Sequence, residues 1–119
     1  METKKITING KKYPVVFNLQ TIIYYEKDAK KTFFGEDFKQ TEDRIYLIAA
    51  AAKSADVNTT LTINKIKGAQ DLKAVREIMA SYDVVMAMAG VFFEIPAVEK
   101  QNNPEPQQED QDGEEKQKN

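Results

Sequence analysis

The alternation of apolar and polar residues near the start of the chain predicts a β-hairpin. The segment Ile6-Thr7-Ile8 alternates with the period of a half-buried strand, and Asn9-Gly10 follows it directly. Because both central residues of a type I′ turn need a positive φ, Asn-Gly favours a tight turn between two strands. The return strand is predicted over Tyr13 to Phe17, with Pro14 at an edge or a bulge because proline has no N–H to donate. Two strands are marginal alone, so we expect the hairpin to pack on the helices.

The apolar positions of the next segment recur with helical spacing. Asn18 is the predicted cap of a helix that runs from Leu19 to about Lys30, with Tyr24 pointing away from its apolar face. Three aromatic residues follow in a predicted loop that folds back over the core. The apolar stripe that we expect to face the core consists of Leu19, Ile22 and Ile23, and the aromatic residues of the loop are Phe33, Phe34 and Phe38.

Two further helices are predicted in the middle of the chain. Thr41 is the predicted cap of the first, whose body, Ile45 to Ala52, is apolar on nearly every side. Its four consecutive alanines allow a neighbouring backbone to approach closely, so we expect this helix to be buried. Thr62 is the predicted cap of a short helix that ends at Gly68.

The last predicted helix runs from about Asp71 to Glu94, and Pro96 stops it. Its first half is amphipathic. We expect its core face to consist of Leu72, Val75, Ile78, Met79 and Tyr82.

After Asp83 the apolar residues of this helix cover two faces, and one small domain buries one face only. The second face therefore predicts contacts with a client protein or with another copy of the chain. An alternative interpretation is that the hairpin covers this face and that the helix is ordinary core. The candidate contact residues are Val84, Met88, Val91 and Phe92, with Tyr24 as a secondary surface candidate.

The charges divide the chain into a near-neutral domain and an acidic tail. Residues 1–96 carry 14 Lys/Arg and 12 Asp/Glu, whereas residues 97–119 carry 3 Lys and 7 Asp/Glu. The stretch from Gln101 to Asn119 lacks large apolar residues, so burial cannot offset the entropy of ordering it. We therefore predict a mainly α fold: a domain of about four helices with an N-terminal β-hairpin over residues 1–96, and a disordered acidic tail over 97–119.

The residue types of common active sites are missing. The chain has no cysteine and no histidine, which excludes thiolate chemistry, the usual proton shuttle near neutral pH and the commonest metal ligands. Its glycines form no phosphate-binding loop, and Glu36-Asp37 and Glu42-Asp43 lack the spacing of a calcium loop. We expect no catalytic residue, no cofactor and no metal, and hence a protein that is not an enzyme.

Other classes of partner also lack support in the sequence. The longest apolar run, Val84 to Phe93, is about half the roughly 20 residues of a membrane span, and no apolar stretch follows a basic N-terminus. Neither part of the chain has the dense basic face of a nucleic-acid-binding protein. We therefore expect neither a membrane nor a nucleic acid as partner, and no signal peptide.

One acid occupies an unusual position in the first helix. Glu26 falls between Ile22 and Ile23 on the helical wheel, at the centre of the predicted apolar stripe. It is interpreted either as a catalytic or partner-binding carboxylate, or as a structural buried acid that pairs with Arg44 or accepts N–H groups of the loop at residues 33–38. Because a lone carboxylate without histidine or metal supports little chemistry, we prefer the structural interpretation.

The order of these motifs matches a known pattern over roughly Lys4 to Glu94. They are the hairpin Ile6-Thr7-Ile8-Asn9-Gly10-Lys11, the segment Val16-Phe17-Asn18-Leu19, the Tyr25-Glu26 helix, the Phe33-Phe34 loop, the Thr41-Glu42-Asp43 helix start, the run Ala49-Ala50-Ala51-Ala52, and the short Thr62-led and long final helices. In this order they resemble the tail assembly chaperones of long-tailed bacteriophages and prophages, the family that includes the lambda tail assembly chaperone.

The resemblance implies a small helical protein of the infected bacterial cytoplasm that is absent from the finished virion. Such a protein binds the tape measure protein and recruits tail tube subunits, and in many such phages ribosomal frameshifting adds a longer product. We expect non-catalytic apolar helix contacts with the client. The alternatives are a structural virion protein, such as a head–tail connector or minor tail protein, an enzyme or small-molecule binder built round Glu26, and a nucleic-acid-binding regulator.

Overall fold

The computed structural model describes residues 2–94 of the 119-residue chain. The chain divides into two units, Met1–Ala89 and Gly90–Asn119. The predicted mainly helical fold with an N-terminal hairpin is confirmed, whereas the tail predicted over 97–119 lies outside the described residues. In chain order the elements are β1 (Lys4–Ile8), β2 (Lys11–Val15), α1 (Leu19–Ala29), α2 (Thr41–Ala55), α3 (Ile63–Gly68) and α4 (Leu72–Glu94).

The hairpin forms around the predicted Asn9-Gly10 turn. Both turn residues have positive φ, 53° and 76°, as a type I′ turn requires. The strands are antiparallel, with Ile8 opposite Lys11. The return strand begins two residues earlier than predicted and ends at Val15, because the backbone N–H of Val16 leaves the ladder and donates to the carbonyl oxygen of Ala51 in α2 at 3.2 Å. The hairpin face packed in the core carries Ile6, Ile8, Tyr13 and Val15.

Helix α1 begins at a reciprocal cap. The Asn18 side chain accepts a hydrogen bond from the backbone N–H of Thr21, and the Thr21 hydroxyl accepts one from the backbone N–H of Asn18. The predicted apolar stripe is wrong for two of its three members, since Leu19 and Ile23 are 64% and 45% exposed. The buried residues of α1 are instead Thr21, Ile22 and Tyr25.

Hydrogen bonding explains this rotation of α1. The Thr21 hydroxyl donates to the carbonyl oxygen of Val16 at 3.1 Å and lies 2.9 Å from the Ser54 hydroxyl. A polar side chain whose hydrogen bonds are satisfied can be buried at little cost. Thr21 therefore turns inward, and the two flanking apolar residues turn outward.

Helix α2 lies at the centre of the fold, and its Ala49–Ala52 run is buried as predicted. The predicted cap is wrong. Thr41 is the first helical residue, and Gln40 precedes it without a side-chain cap hydrogen bond. The carbonyl oxygen of Gln40 accepts from the backbone N–H groups of Asp43 and Arg44, at 3.1 and 3.3 Å, so the first turn closes one residue earlier than predicted.

The loop between α1 and α2 folds over the core as predicted. The ring of Phe33 lies 5.8 Å from that of Phe17 and 5.9 Å from that of Tyr25, measured between centroids. Phe38 lies 5.6 Å from Phe33, and both are buried, whereas Phe34 is exposed. These separations suit favourable edge-to-face and tilted aromatic packing.

Helix α3 begins as predicted, with the Thr62 hydroxyl accepting from the backbone N–H of Lys65 at 3.2 Å. Gly68 is its last residue. An ion pair between Lys67 and Glu42 joins it to the start of α2.

Helix α4 buries a different face from the one predicted. Of the five residues expected in the core, Ile78 alone is buried, Tyr82 is half-buried, and the other three are exposed. The Ser81 hydroxyl lies 3.5 Å from the carbonyl oxygen of Thr7, so this face of α4 approaches the hairpin backbone. Small side chains permit such an approach, whereas long ones would hold the helix away. The buried residues of α4 are Ala74, Ile78, Ser81, Val85 and Ala89.

Candidate functional site

Several large apolar side chains remain on the surface of the described residues. Single exposed apolar residues are normal in proteins, but groups of them on one helix face mark contact sites. Two such groups occur within residues 2–89, one on α1 and one on α4. The exposed large hydrophobic residues are Leu19, Ile23, Phe34, Val57, Leu72, Val75, Met79, Val91 and Phe93.

The first group, the α1 stripe, consists of Leu19 and Ile23. These residues are four apart, so their side chains lie one above the other on the helix surface. Both were expected in the core and are exposed because Thr21 and Tyr25 face inward. An i, i+4 apolar pair on an exposed helix face is the usual anchor of helix-on-helix recognition.

The second group, the α4 seam, consists of Leu72, Val75 and Met79, which are 62%, 47% and 52% exposed. Their three- and four-residue spacing is that of a coiled-coil contact line. The same spacing continues to Tyr82 and Met86, which are half-buried. The ring of Tyr82 is covered by the guanidinium of Arg44, 5.0 Å from its centroid.

The sequence-predicted contact residues occupy less open positions. Val84 and Met88 are half-buried beside the packed face of α4. Tyr24 is half-buried on α1, where the Lys53 ammonium lies 4.6 Å from its ring centroid. These three side chains keep part of their surface accessible.

Two predicted contact residues belong to the unit that begins at Gly90. There Val91 is 61% exposed, and Phe92 is half-buried with its ring 5.1 Å from that of Phe93. Val91 is thus the most exposed of the five residues predicted from the sequence.

The Glu26 carboxylate faces the aromatic loop. Its Oε2 accepts a hydrogen bond from the backbone N–H of Phe33 at 2.8 Å, and its side chain is half-buried. The Arg44 side chain donates to the carbonyl oxygen of Phe38 at 2.6 Å. Each of these contacts joins one end of the loop to the helices. Glu26 is half-buried, not fully buried as expected, and its contact is with the loop N–H of Phe33.

A charged network that the sequence did not reveal closes the same loop. The Tyr25 hydroxyl donates to Glu36 at 3.0 Å, and the Lys31 ammonium lies 2.7 Å from Asp43 and 3.5 Å from Glu36. Asp43 is only 4% exposed, so Lys31 supplies the countercharge that a buried carboxylate requires. The partners are too far apart in sequence for helical periodicity to relate them.

The electrostatics of this network follow from its contacts. Burial, together with the hydrogen bond to Glu36, raises the pKa of Tyr25 above its ordinary value of 10.0. Burial opposes ionisation of Glu36, but the Tyr25 hydroxyl and the Lys31 charge outweigh it and lower the pKa of Glu36. The hydrogen bond to Asp43 raises the pKa of Lys31. All these shifts stabilise the protonation states of neutral pH, in which the loop is tied down.

The described residues also form an open cleft of about 210 Å³. This volume is below the roughly 300 to 1,000 Å³ of typical ligand pockets, so the cleft cannot enclose most of a small molecule. Within residues 2–94, no three His, Cys, Asp or Glu side chains are grouped to hold a metal ion. The cleft is lined by Asp28, Ala49, Lys53, Val57, Thr59, Leu61, Thr62 and Ile63.

No family model, curated protein or solved structure matches the chain. Among the helices of the described part, none combines the length and apolar character needed to cross a membrane. The exposed apolar groups on α1 and α4 are the candidate contact sites of the described residues.

Proposed function

We propose that the protein is a tail assembly chaperone of a long-tailed phage or prophage. It binds the tape measure protein, promotes assembly of tail tube subunits around it, and leaves before the virion is complete. It acts in the cytoplasm of the bacterial host, and its action is non-catalytic. The resemblance in motif order over Lys4 to Glu94 and the exposed apolar groups support this proposal.

The observation that carries the proposal is the exposure of the α1 stripe. Leu19 and Ile23 are both in a helix that is firmly capped and packed, so their exposure does not arise from a loose element. Exposed apolar side chains on a rigid helix bind another apolar helix with little loss of conformational entropy. A tape measure protein is long, helical and apolar. Its apolar surface needs a binding partner of this kind until the tail tube surrounds it.

The contact residues predicted from the sequence are further client contacts in the proposal. Tyr24 is next to Ile23 on α1, and its half-buried ring offers an amphipathic edge. Val84, Met88, Val91 and Phe92 on α4 are the further client contacts, of which the two after Gly90 are in the second unit. The flexible thioether of Met88 suits a client whose sequence varies along its length.

The test is co-expression of the full chain with the tape measure protein of the same phage, followed by affinity capture. The wild-type chain is expected to retain the tape measure protein. A Leu19→Gln, Ile23→Gln double variant is expected to lose it while keeping the wild-type circular dichroism spectrum. Val57→Gln is the matched control, because Val57 is 68% exposed but lies outside both apolar groups. Equal retention by all three chains would reject the α1 stripe as the client site.

A further inference from the structure

The α4 seam is a straight apolar line with a charged flank on one side only. Leu72, Val75 and Met79 form the line, and the core face of α4 lies on its other side. Arg76 and Asp83 are exposed on the free flank. Seven residues separate them, which is about two helical turns, so they project in nearly the same direction roughly 10 Å apart.

Within the part of the chain that the structure describes, the charges of Arg76 and Asp83 are available to an outside partner. Neither Arg76 nor Asp83 forms an ion pair with another residue of the described range 2–94. Opposite charges at equivalent positions of successive heptads, next to an apolar line, are what set the orientation of paired helices. The pattern is self-complementary when the helix meets a reversed copy of itself.

We propose that a second copy of this chain covers the α4 seam, with the two α4 helices antiparallel. The two-fold axis passes between Met79 and Ala80, midway between the two charged residues. Arg76 of each copy then faces Asp83 of the other, and the two seams pack against each other. The sequence predicts client or self-association contacts through Val84, Met88, Val91 and Phe92, whereas this interface uses the margin of α4 opposite Val84 and Met88.

The charges distinguish this arrangement from its alternatives. In a parallel pair, the charged flank of one helix lies beside the opposite margin of its partner, so Arg76 and Asp83 would not face each other. The antiparallel pair brings Arg76 of each copy beside Asp83 of the other, which gives two attractions, and it buries the same apolar side chains. The inference uses α4 alone, so it stands or falls independently of the tail assembly proposal.

The seam is short, which predicts a weak dimer. Interfaces of small area are typical of transient complexes. Sedimentation equilibrium of the purified full chain is therefore carried out over a concentration series from about 10 µM to about 1 mM. The expected result is a concentration-dependent shift from monomer to dimer, with no larger species.

Met79→Lys tests the apolar line at its centre. This variant is expected to stay monomeric across the series, because two lysines would meet at the two-fold axis. Val57→Lys is the matched control, since it adds the same charge at an exposed valine outside α4, and it is expected to dimerise as the wild type does. Circular dichroism checks that both variants keep the wild-type helix content.

Charge exchange tests the orientation. Arg76→Asp and Asp83→Arg are each expected to weaken the dimer roughly tenfold, since two attractions become two repulsions. The double variant with both changes restores opposite charges across the axis and is expected to recover wild-type dimerisation. A mixture of the two single variants is expected to form a heterodimer.

Three outcomes would overturn the inference. The first is a wild-type chain that stays monomeric up to the highest concentration. The second is equal weakening by Met79→Lys and Val57→Lys, which would place the interface elsewhere or show a general charge effect. The third is a double charge variant that dimerises no better than the single variants, which would exclude the antiparallel pairing.

Discussion

The carboxylate of Glu77 accepts a hydrogen bond from the backbone N–H of Asn9 at 2.6 Å and so joins the first half of α4 to the hairpin turn. Its other oxygen lies 3.2 Å from the backbone nitrogen of Gly10, which also donates to it. The type I′ turn leaves both N–H groups without partners in the strand ladder. One acid thus connects two elements that are more than sixty residues apart in the chain.

Replacing Glu77 is expected to loosen this connection. Glu77→Ala removes two hydrogen bonds to a charged acceptor, and we expect the free energy of unfolding to fall by about 1 to 2 kcal/mol. Urea denaturation measures the change. Glu94→Ala on the same helix is the control. Glu94 is exposed and makes no such contact with the other described residues, so its replacement is expected to alter stability by less than about 0.5 kcal/mol. Equal effects of the two substitutions would contradict the role given to Glu77.

The second prediction concerns the buried hydroxyl of Thr21. Thr21→Val keeps the side-chain shape but leaves the Val16 carbonyl oxygen without this donor and breaks the reciprocal cap with Asn18. We expect a loss of about 1 to 3 kcal/mol in the free energy of unfolding, measured by thermal or urea denaturation. Thr41→Val, at the exposed first position of α2, is the matched control and should change little. Thr21→Val as stable as the wild type would show that the hydroxyl does not determine how α1 faces the core.

Much of the fold could be predicted because its signals are local. Asn9-Gly10 needs only the preference of two residues for positive φ, and the Ala49–Ala52 run indicates a buried helix through composition alone. Helix ends also follow from neighbours in sequence, as at Asn18 and Thr62. The cap of α2 is the exception, since the backbone carbonyl of Gln40 accepts the first-turn hydrogen bonds without help from a side chain.

Which face of a helix is buried could not be predicted in the same way. Hydropathy ranks Leu19 above Thr21 and Leu72 above Ser81, yet the structure buries Thr21 and Ser81. Both depend on hydrogen bonds or close backbone approaches to residues far away in sequence, which a helical wheel does not contain. A helical wheel therefore places both exposed apolar groups of the candidate site in the core.

A further prediction concerns the free energy of unfolding at alkaline pH, which depends on the protonation of Tyr25. Because the pKa of Tyr25 is raised, the folded chain holds the hydroxyl proton more tightly than the unfolded chain does. This contribution to stability is present below the ordinary tyrosine pKa of 10.0 and is lost as the pH rises towards the folded value. Tyr25→Phe removes it, so the free energy of unfolding should fall less steeply between about pH 9 and about pH 11 than in the wild type. Parallel pH profiles of the two chains would contradict this account.

A further prediction concerns Val84 and Met88, on the second apolar face of α4. Both are half-buried, so replacing them with Glu is expected to leave a folded domain of somewhat lower stability. Capture of the tape measure protein by the Val84→Glu, Met88→Glu variant should be lost. Circular dichroism and co-expression measure the two effects separately. Gross unfolding instead would show that both faces of this part of α4 are core, as the alternative interpretation of the sequence holds.

The most direct test of the chaperone proposal follows the protein through phage assembly. Quantitative mass spectrometry would compare the lysate of an induced lysogen with the purified particles of the phage that encodes the chain. The proposal predicts abundant chain in the lysate, eluting together with the tape measure protein before assembly, and none in the finished particles. Retention of the chain in particles at a fixed ratio to the tail tube protein would contradict it and identify a structural virion protein instead.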